Sequence, residues 1–170
     1  ASASGFNHIL AQWMVGHDLN EMDRLCVFYQ SAMQGMGYKT FAEHVGEIHA
    51  WVRTLSGFSS DPHEWMQAFS DGTVSLPEDE LGRLTTHFNR LSLGVFFQES
   101  ALAEIHRIEC EKRFKHIPGN TLILTIRVLS SLVLAGLYAN ATSLKRFRLR
   151  RKIVAHREAL KTAAHHAPMN

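Results

Sequence analysis

The sequence contains few cysteines and no sign of a disulfide framework. Only Cys26 and Cys110 occur among its 170 residues, with no CxxC pair or regular cysteine spacing. Both lie in stretches of helical pattern, which indicates free thiols in a reducing compartment. The first residues, ASASGF, lack the basic and apolar regions of a secretory signal. We therefore expect a cytoplasmic protein.

Several enzyme signatures are also missing. The chain has no glycine-rich phosphate loop, no Walker-type motif and no GxSxG elbow, which argues against ATP-driven chemistry and serine hydrolysis. No stretch alternates apolar and polar residues as a half-buried strand does. The length of 170 residues and the apolar content of 45% fit one ordinary globular domain. We predict a single all-α domain over residues 1–170, with 1–5 and 165–170 outside its ordered part.

Helical periodicity predicts a bundle of five or six helices. Turn and capping residues set the expected limits of each helix. The predicted helices are 6–34 or a shorter version broken at Gly16, 40–55, a short helix after Asp61 and Pro62, 77–115, 121–139 and 144–164.

Segment 121–139 is apolar around most of its circumference and approaches the length of a bilayer crossing. Arg127 lies near its middle, and a central charge is costly in lipid. A buried bundle helix is therefore favoured, and we expect no transmembrane segment. We predict that 121–139 is the most buried helix. We also predict that Arg127 pairs with a carboxylate or with helix C-terminal carbonyls, or lies at a subunit boundary.

Positive charge is concentrated near the C-terminal end. The net charge is +2, yet residues 145–157 hold seven lysines and arginines with no acidic residue before Glu158. Such a local field attracts phosphate, either in nucleic acid or at an anionic membrane. Apolar Phe147, Leu149 and Ile153 are interleaved with the charges. The pattern predicts a helix that packs on one side and presents charge on the other.

The same helix contains the run RRKIVAHRE, in which four residues separate Arg151 from His156. This resembles the R-x4-6-H signature of HEPN-domain proteins, and RKIVAHRE is similar to the ending of their abortive-infection members. Lys152 stands where the family often has Asn, Asp or His. The resemblance implies an all-α bundle, a motif on a late helix, and a dimer whose two motifs line one cleft. It also implies metal-independent endoribonuclease activity, which some members of the family have lost.

The chemistry that the resemblance implies suits these two residues. Imidazole can exchange a proton with a ribose 2′-hydroxyl or a leaving oxygen near neutral pH, and arginine can bind the phosphate oxygens. On a straight helix, however, Arg151 and His156 lie about 140° apart. Either the arginine reaches around the helix, or it acts beside the histidine of a second subunit. Lys152 shares the face of His156 and is expected to contact phosphate.

The pattern also supports a structural interpretation of His156, because the histidine continues a helical stripe with Leu149, Ile153 and Leu160. A histidine in that position can be a core or interface residue with a satisfied hydrogen bond. Under the functional interpretation the catalytic residues are Arg151 and His156. The residues expected to bind nucleic acid are Lys145, Arg148, Lys152 and Arg157.

Two groups of residues contain side chains that can bind a metal. The first is Glu43, His44, Glu47 and His49, and the second is Glu104, His106 and Cys110. His44 and His49 are five residues apart and diverge on a helix, unlike the zinc-binding pair of an HExxH motif. His106 and Cys110 share a face, but no further ligand is evident. We predict no metal and no other cofactor.

The first functional hypothesis is a HEPN-like endoribonuclease or RNA-binding protein that acts as a homodimer, in a toxin–antitoxin or phage-defence system. Its partner would be RNA. The alternative is a non-catalytic helical module that docks a protein partner. A third hypothesis is a peripheral membrane protein that uses the basic run beside the apolar segment 121–139.

Overall fold

The computed structural model describes residues 8, 9, 12, 16, 18–57, 77–117 and 122–166. Within these residues every defined element is helical and there is no strand, so the all-α prediction is confirmed. The short helix expected after Asp61 and Pro62 lies outside the described residues. The elements are α1 (Leu19–Gly35), α2 (Lys39–Leu55), α3 (Glu80–Phe96), α4 (Ser100–Arg113), a 3-10 turn (Phe114–His116), α5 (Leu122–Ala139) and α6 (Ser143–His166).

Helix α3 crosses the boundary between two compact units of the chain. The first unit is Ala1–Asn89 and the second is Arg90–Asn170. Helices α1, α2 and the first part of α3 belong to the first unit, and the remaining helices belong to the second. The expectation of one domain over residues 1–170 stays a prediction.

In the first unit, α1 and α2 form a helical hairpin. Helix α1 begins where the Asp18 carboxylate accepts a hydrogen bond from the Asn20 backbone N–H at 2.8 Å. Gly16 precedes it in a turn with φ +77°, so the version of the first helix broken at Gly16 is confirmed. At the other end, Gly37 has φ +78°, and the Tyr38 N–H donates to the Met33 carbonyl at 2.9 Å. The predicted end of the first helix, at 34, is therefore confirmed to within one residue.

Asp79 joins the start of α3 to α2 within the first unit. One carboxylate oxygen accepts from the Gly82 backbone N–H at 2.8 Å, as a helix-capping residue does, and the other lies 2.9 Å from His44 Nε2. A Cβ on Gly82 would collide with the His44 imidazole, so this approach requires glycine. Burial alone would raise the pKa of Asp79, but the bonds from Gly82 and His44 hold it below its usual value.

The predicted helix 77–115 is wrong, because the chain turns between α3 and α4. Gln98 adopts a left-handed φ of +61°. The Glu99 N–H donates to the Gly94 carbonyl at 2.8 Å, and the Gln98 N–H donates to the Val95 carbonyl at 3.3 Å. This is the Schellman arrangement, in which glycine usually occupies the left-handed position. No glycine or proline occurs between 95 and 117, so nothing in the sequence marked the break.

Among the described helices α3 is the most buried, so the prediction that named 121–139 is wrong. Every residue from 84 to 94 is buried, including polar Thr85, Asn89 and Arg90. Helix α5 leaves Val128 and Leu132 about half exposed. Hydropathy measures how apolar a helix is, whereas burial depends on how many sides have neighbours.

Helix α5 is also, among the described residues, the one helix long and apolar enough to cross a bilayer, and 28% of that segment is buried. It packs between α4 and α6 in the second unit. Because α6 carries the basic run, the apolar segment lies directly against strongly charged helical sequence.

Helix α6 presents most of its surface to solvent. Its buried residues are Leu149 and His156, which lie on one side. Leu149 packs in an apolar cluster with Leu134 and Ala141, and Ile153 joins its edge. The prediction of a helix that packs on one side and exposes its charges is confirmed. It ends at His166, close to the expected end at 164.

The left-handed residue Gln98 provides a test of how the α3–α4 turn is stabilised. Gln98→Gly should raise the free energy of unfolding by about 1 kcal/mol, because glycine avoids the clash between Cβ and the following carbonyl. Urea denaturation measures the change. Gln34→Gly, at an ordinary helical position in α1, should instead lower stability by a similar amount. A loss of stability in both variants would show that the Gln98 side chain itself holds the turn.

Candidate functional site

His156 makes two polar contacts with different helices of the second unit. Its Nε2 lies 3.1 Å from Glu111 Oε1 on α4, and its Nδ1 lies 3.3 Å from Arg127 Nη1 on α5. A guanidinium can only donate, so Nδ1 accepts and the Nε2–H donates to the carboxylate. The side chain is only 8% exposed. His156 thus connects three helices, with both ring nitrogens occupied.

Glu111 also binds a cation on its own helix. It pairs with Arg107, whose guanidinium also makes a bidentate contact with Glu104 at 2.6 and 2.8 Å. Burial would lower the pKa of Arg107, but the hydrogen bonds that it donates to both carboxylates raise it. Burial would likewise raise the pKa of Glu111, but the bonds from His156 and Arg107 lower it to about 2. Glu104, Arg107, Glu111, Arg127 and His156 form what we call the His156 cluster.

Among the described residues, Arg127 has no carboxylate partner. Besides His156, its guanidinium stacks on the Phe114 ring, with 5.0 Å between the guanidinium carbon and the ring centroid. Within the described chain neither a carboxylate nor a helix C-terminal carbonyl binds it, so these two predicted pairings do not occur there, and the third alternative, a position at a subunit boundary, stays a prediction. An aromatic face and a neutral imidazole nitrogen take their place and let α5 keep a charge within its apolar sequence.

The structure does not bring Arg151 to His156 within one chain. Arg151 is exposed, and its guanidinium carbon lies 6.0 Å from the Phe147 ring centroid on the outward side of α6. This agrees with their angular separation of about 140° on a helix. A shallow groove runs along the outward side, lined by Phe147, Arg150, Arg151, Val154 and Ala155. The two motif residues therefore face different surroundings.

The four predicted nucleic-acid-binding residues are all exposed, but they do not form one group. Lys145, Arg148 and Lys152 share one flank of α6 because they are spaced three and four residues apart. Arg157 lies about 140° away from Lys152 and pairs with Glu158 at 2.8 Å. Lys152 Nζ lies 4.0 Å from Glu111, at the rim of the His156 cluster.

The sequence did not single out two arginines of the basic run, Arg146 and Arg150. Arg146 donates to the Tyr138 carbonyl at 3.3 Å and to the Ala139 carbonyl at 3.0 Å, so it closes the C-terminal end of α5. Arg150 is exposed on the outward side and has no ion-pair partner in the described part of the chain. Its spacing of three from Phe147 could have indicated that the two side chains are neighbours.

The residues weighed as metal ligands do not converge. His44 and His49 contact the Asp79 and Asp23 carboxylates at 2.9 and 2.8 Å. Burial raises the pKa of the Cys110 thiol well above its usual value, which disfavours the thiolate that binds metals. In residues 18–57, 77–117 and 122–166 no three histidine, cysteine or acidic side chains form a possible metal site.

No protein-family model, curated protein or solved structure matches this chain. The resemblance to HEPN-domain proteins therefore stays a prediction that depends on Arg151 and His156. Burial, contacts and charge are the remaining grounds for a functional assignment.

The lowered pKa of Glu111 makes stability depend on pH. Because the folded-state value of about 2 is below the ordinary glutamate value of roughly 4.3, the unfolded chain binds more protons between these values. The contribution is complete above about pH 5 and is lost as pH falls toward 2. Glu111→Gln should lower the free energy of unfolding at pH 7 by about 2 kcal/mol. The variant should also lose less stability than the unmodified chain as pH falls from about 5 toward 2.

Urea unfolding from pH 2.5 to pH 7 measures the effect. Glu78→Gln removes an exposed carboxylate outside the His156 cluster and serves as the control. If both variants keep the pH dependence of the unmodified chain, Glu111 is not a principal cause of the loss of stability at acid pH.

Proposed function

We propose that this chain binds RNA through the outward side of α6, and that His156 stabilises the helix carrying this surface. The observation that carries the proposal is a set of exposed cations with no carboxylate partner among the described residues. On or beside the outward side these cations are Arg148, Arg150 and Arg151, and Lys145 adds a fourth exposed cation on the flank that it shares with Lys152. Other basic residues of the run are already engaged, since Arg146 closes α5 and Arg157 pairs with Glu158.

The unpaired cations favour an anionic partner. They lie within about two helical turns, so their mutual repulsion is relieved when phosphates bind between them. Binding to RNA would release counterions and would weaken steeply as salt rises. Arginine also matches phosphate oxygens with two parallel donors.

The surroundings of His156 support binding rather than cleavage. A general acid or base has to come within hydrogen-bond reach of the proton that it transfers. Both nitrogens of His156 are occupied by Glu111 and Arg127, and the ring is almost completely buried. Arg151 faces the other side of the helix. The proposal therefore keeps the RNA partner implied by the HEPN resemblance and assigns the histidine to the fold.

Other parts of the first hypothesis stay predictions. These are the homodimer and the toxin–antitoxin or phage-defence setting. In a HEPN-type dimer, a second copy would supply the second motif.

RNA binding can be tested with two double variants that remove equal charge. The double variant Arg148→Gln, Arg150→Gln should bind a labelled 20-nucleotide RNA more weakly. The slope of the log binding constant against the log salt concentration, which we call the salt slope, should fall by about 1.4 in magnitude, because each phosphate contact contributes about 0.7 on a single strand. Fluorescence anisotropy in EDTA between 50 and 200 mM salt gives both quantities. Lys39→Gln with Arg53→Gln, in α2, should leave the slope unchanged. Equal losses in the two double variants would mean that net charge, not α6, governs binding.

The role of His156 is tested by measuring stability, RNA affinity and RNA cleavage on the same variant. His156→Ala should lower the free energy of unfolding by about 2 kcal/mol, because Glu111 and Arg127 each lose the hydrogen bond that they make with the buried imidazole. RNA affinity of the folded fraction should change less than twofold. Thermal melts, anisotropy and a cleavage assay in EDTA are run on the same preparations. Release of 2′,3′-cyclic phosphate ends by the unmodified chain, lost in His156→Ala without a change in melting, would establish the HEPN-type nuclease instead.

A further inference from the structure

The outward side of α6 exposes apolar side chains among its arginines. Phe147 is 59% exposed, and Leu144 and Val154 lie on the same stripe at helical spacing. The Arg151 guanidinium is positioned over the Phe147 ring. Exposed apolar surface rimmed by polar groups is characteristic of an interaction site. The question is which partner would cover both an aromatic ring and unpaired cations.

Charge separates the possible partners. A second copy of the chain bound through this surface by a two-fold axis would bring Arg148, Arg150 and Arg151 close to their own equivalents. Like charges juxtaposed at an interface are strongly unfavourable. A neutral protein surface would cover the ring but would leave the cations unpaired. A single-stranded nucleic acid supplies phosphates for the arginines and flat apolar bases for the ring.

We propose that Phe147 is a stacking platform for an unpaired base, so that the RNA bound by α6 is single-stranded. The proposal rests on the RNA binding inferred above. Bases in an RNA duplex are stacked on each other and present a ring to a protein only at helix ends or loops. Unpaired bases stack on aromatic side chains, and arginine adds a cation–π contribution at the same place.

Phe147 and the three arginines around it then have distinct tasks. Phe147 contacts a base face, and Arg151 extends the platform because its planar guanidinium can stack on the neighbouring base or bind its phosphate. Arg148 and Arg150 lie on the two sides of Phe147, where they can bind the phosphates before and after the stacked base. Sequence preference should be weak, since every base has a face that can stack.

The experiment compares three 20-unit probes by anisotropy: unstructured single-stranded RNA, a blunt RNA duplex, and an abasic strand with the same phosphates. The unmodified chain should bind the single strand about tenfold more tightly than the other two, because only that probe offers free bases. Phe147→Ala should lose about tenfold on the single strand and nothing on the other probes. Its salt slope should stay unchanged, because no phosphate contact is removed.

Two further variants control for general effects of the substitution. Phe147→Trp should restore single-strand binding, because it keeps an aromatic face. Phe28→Ala removes another exposed phenylalanine, 64% exposed on α1, and should not change binding to any probe. Circular dichroism on each variant verifies that the helices are intact.

The other outcomes are distinguishable. If the three probes bind equally and Phe147→Ala has no effect, stacking is wrong although RNA binding stands. If no probe binds even at 50 mM salt, the proposed RNA binding fails as well. If Phe147→Ala instead abolishes flotation with phosphatidylserine vesicles, or converts a sedimenting dimer to a monomer, and leaves RNA affinity unchanged, a lipid or a second copy covers the ring and the proposal is overturned.

Discussion

The carboxylate of Glu111 is the contact on which the arrangement of the second unit depends. It accepts from Arg107 on its own helix and from His156 on α6, and His156 in turn accepts from Arg127 on α5. Buried charges are tolerated only where partners surround them, and removing one partner leaves another charge uncompensated. The hydrogen bonds also have direction, so they fix how each helix is rotated. Apolar packing around Leu149 holds α6 close, and the His156 cluster determines which side faces inward.

Fixing the inward side of α6 also determines its outward side. A straight helix carries its side chains at about 100° intervals, so once His156 faces Glu111, Phe147 and Arg151 have to face away. The arginines of the second unit accordingly fall into two groups, one in the interior and one on the outward side of α6. Arg127 and Arg107 serve the interior, where each has a defined partner. The arginines of the outward side lack such partners in the described chain, and this contrast is what makes them candidates for binding phosphate.

The parts of the fold that could be predicted from the sequence are those encoded by neighbouring residues. The ends of α1 follow from the Asp18 cap and from Gly37, because each supplies locally the chemistry that a helix end needs. The turn at Gln98 does not, since glutamine gives no local signal for a left-handed backbone. A Cβ on Gly94 would come within 3.0 Å of Ala103, which shows how closely the two helices approach at this turn. The burial of α3 was missed for a similar reason, because it depends on neighbours distant in sequence.

The candidate site shows the same division between local and distant information. Helical periodicity predicted that Arg151 and His156 point in different directions, but it could not predict that Glu111 and Arg127 would enclose the histidine, since they lie 45 and 29 residues earlier in the chain. An R-x4-H spacing specifies only a rotation between two side chains. Whether the histidine's side becomes a cleft or a helix contact depends on what packs against it. Here a carboxylate and a guanidinium do so, which leaves the arginine as the motif residue exposed to a ligand.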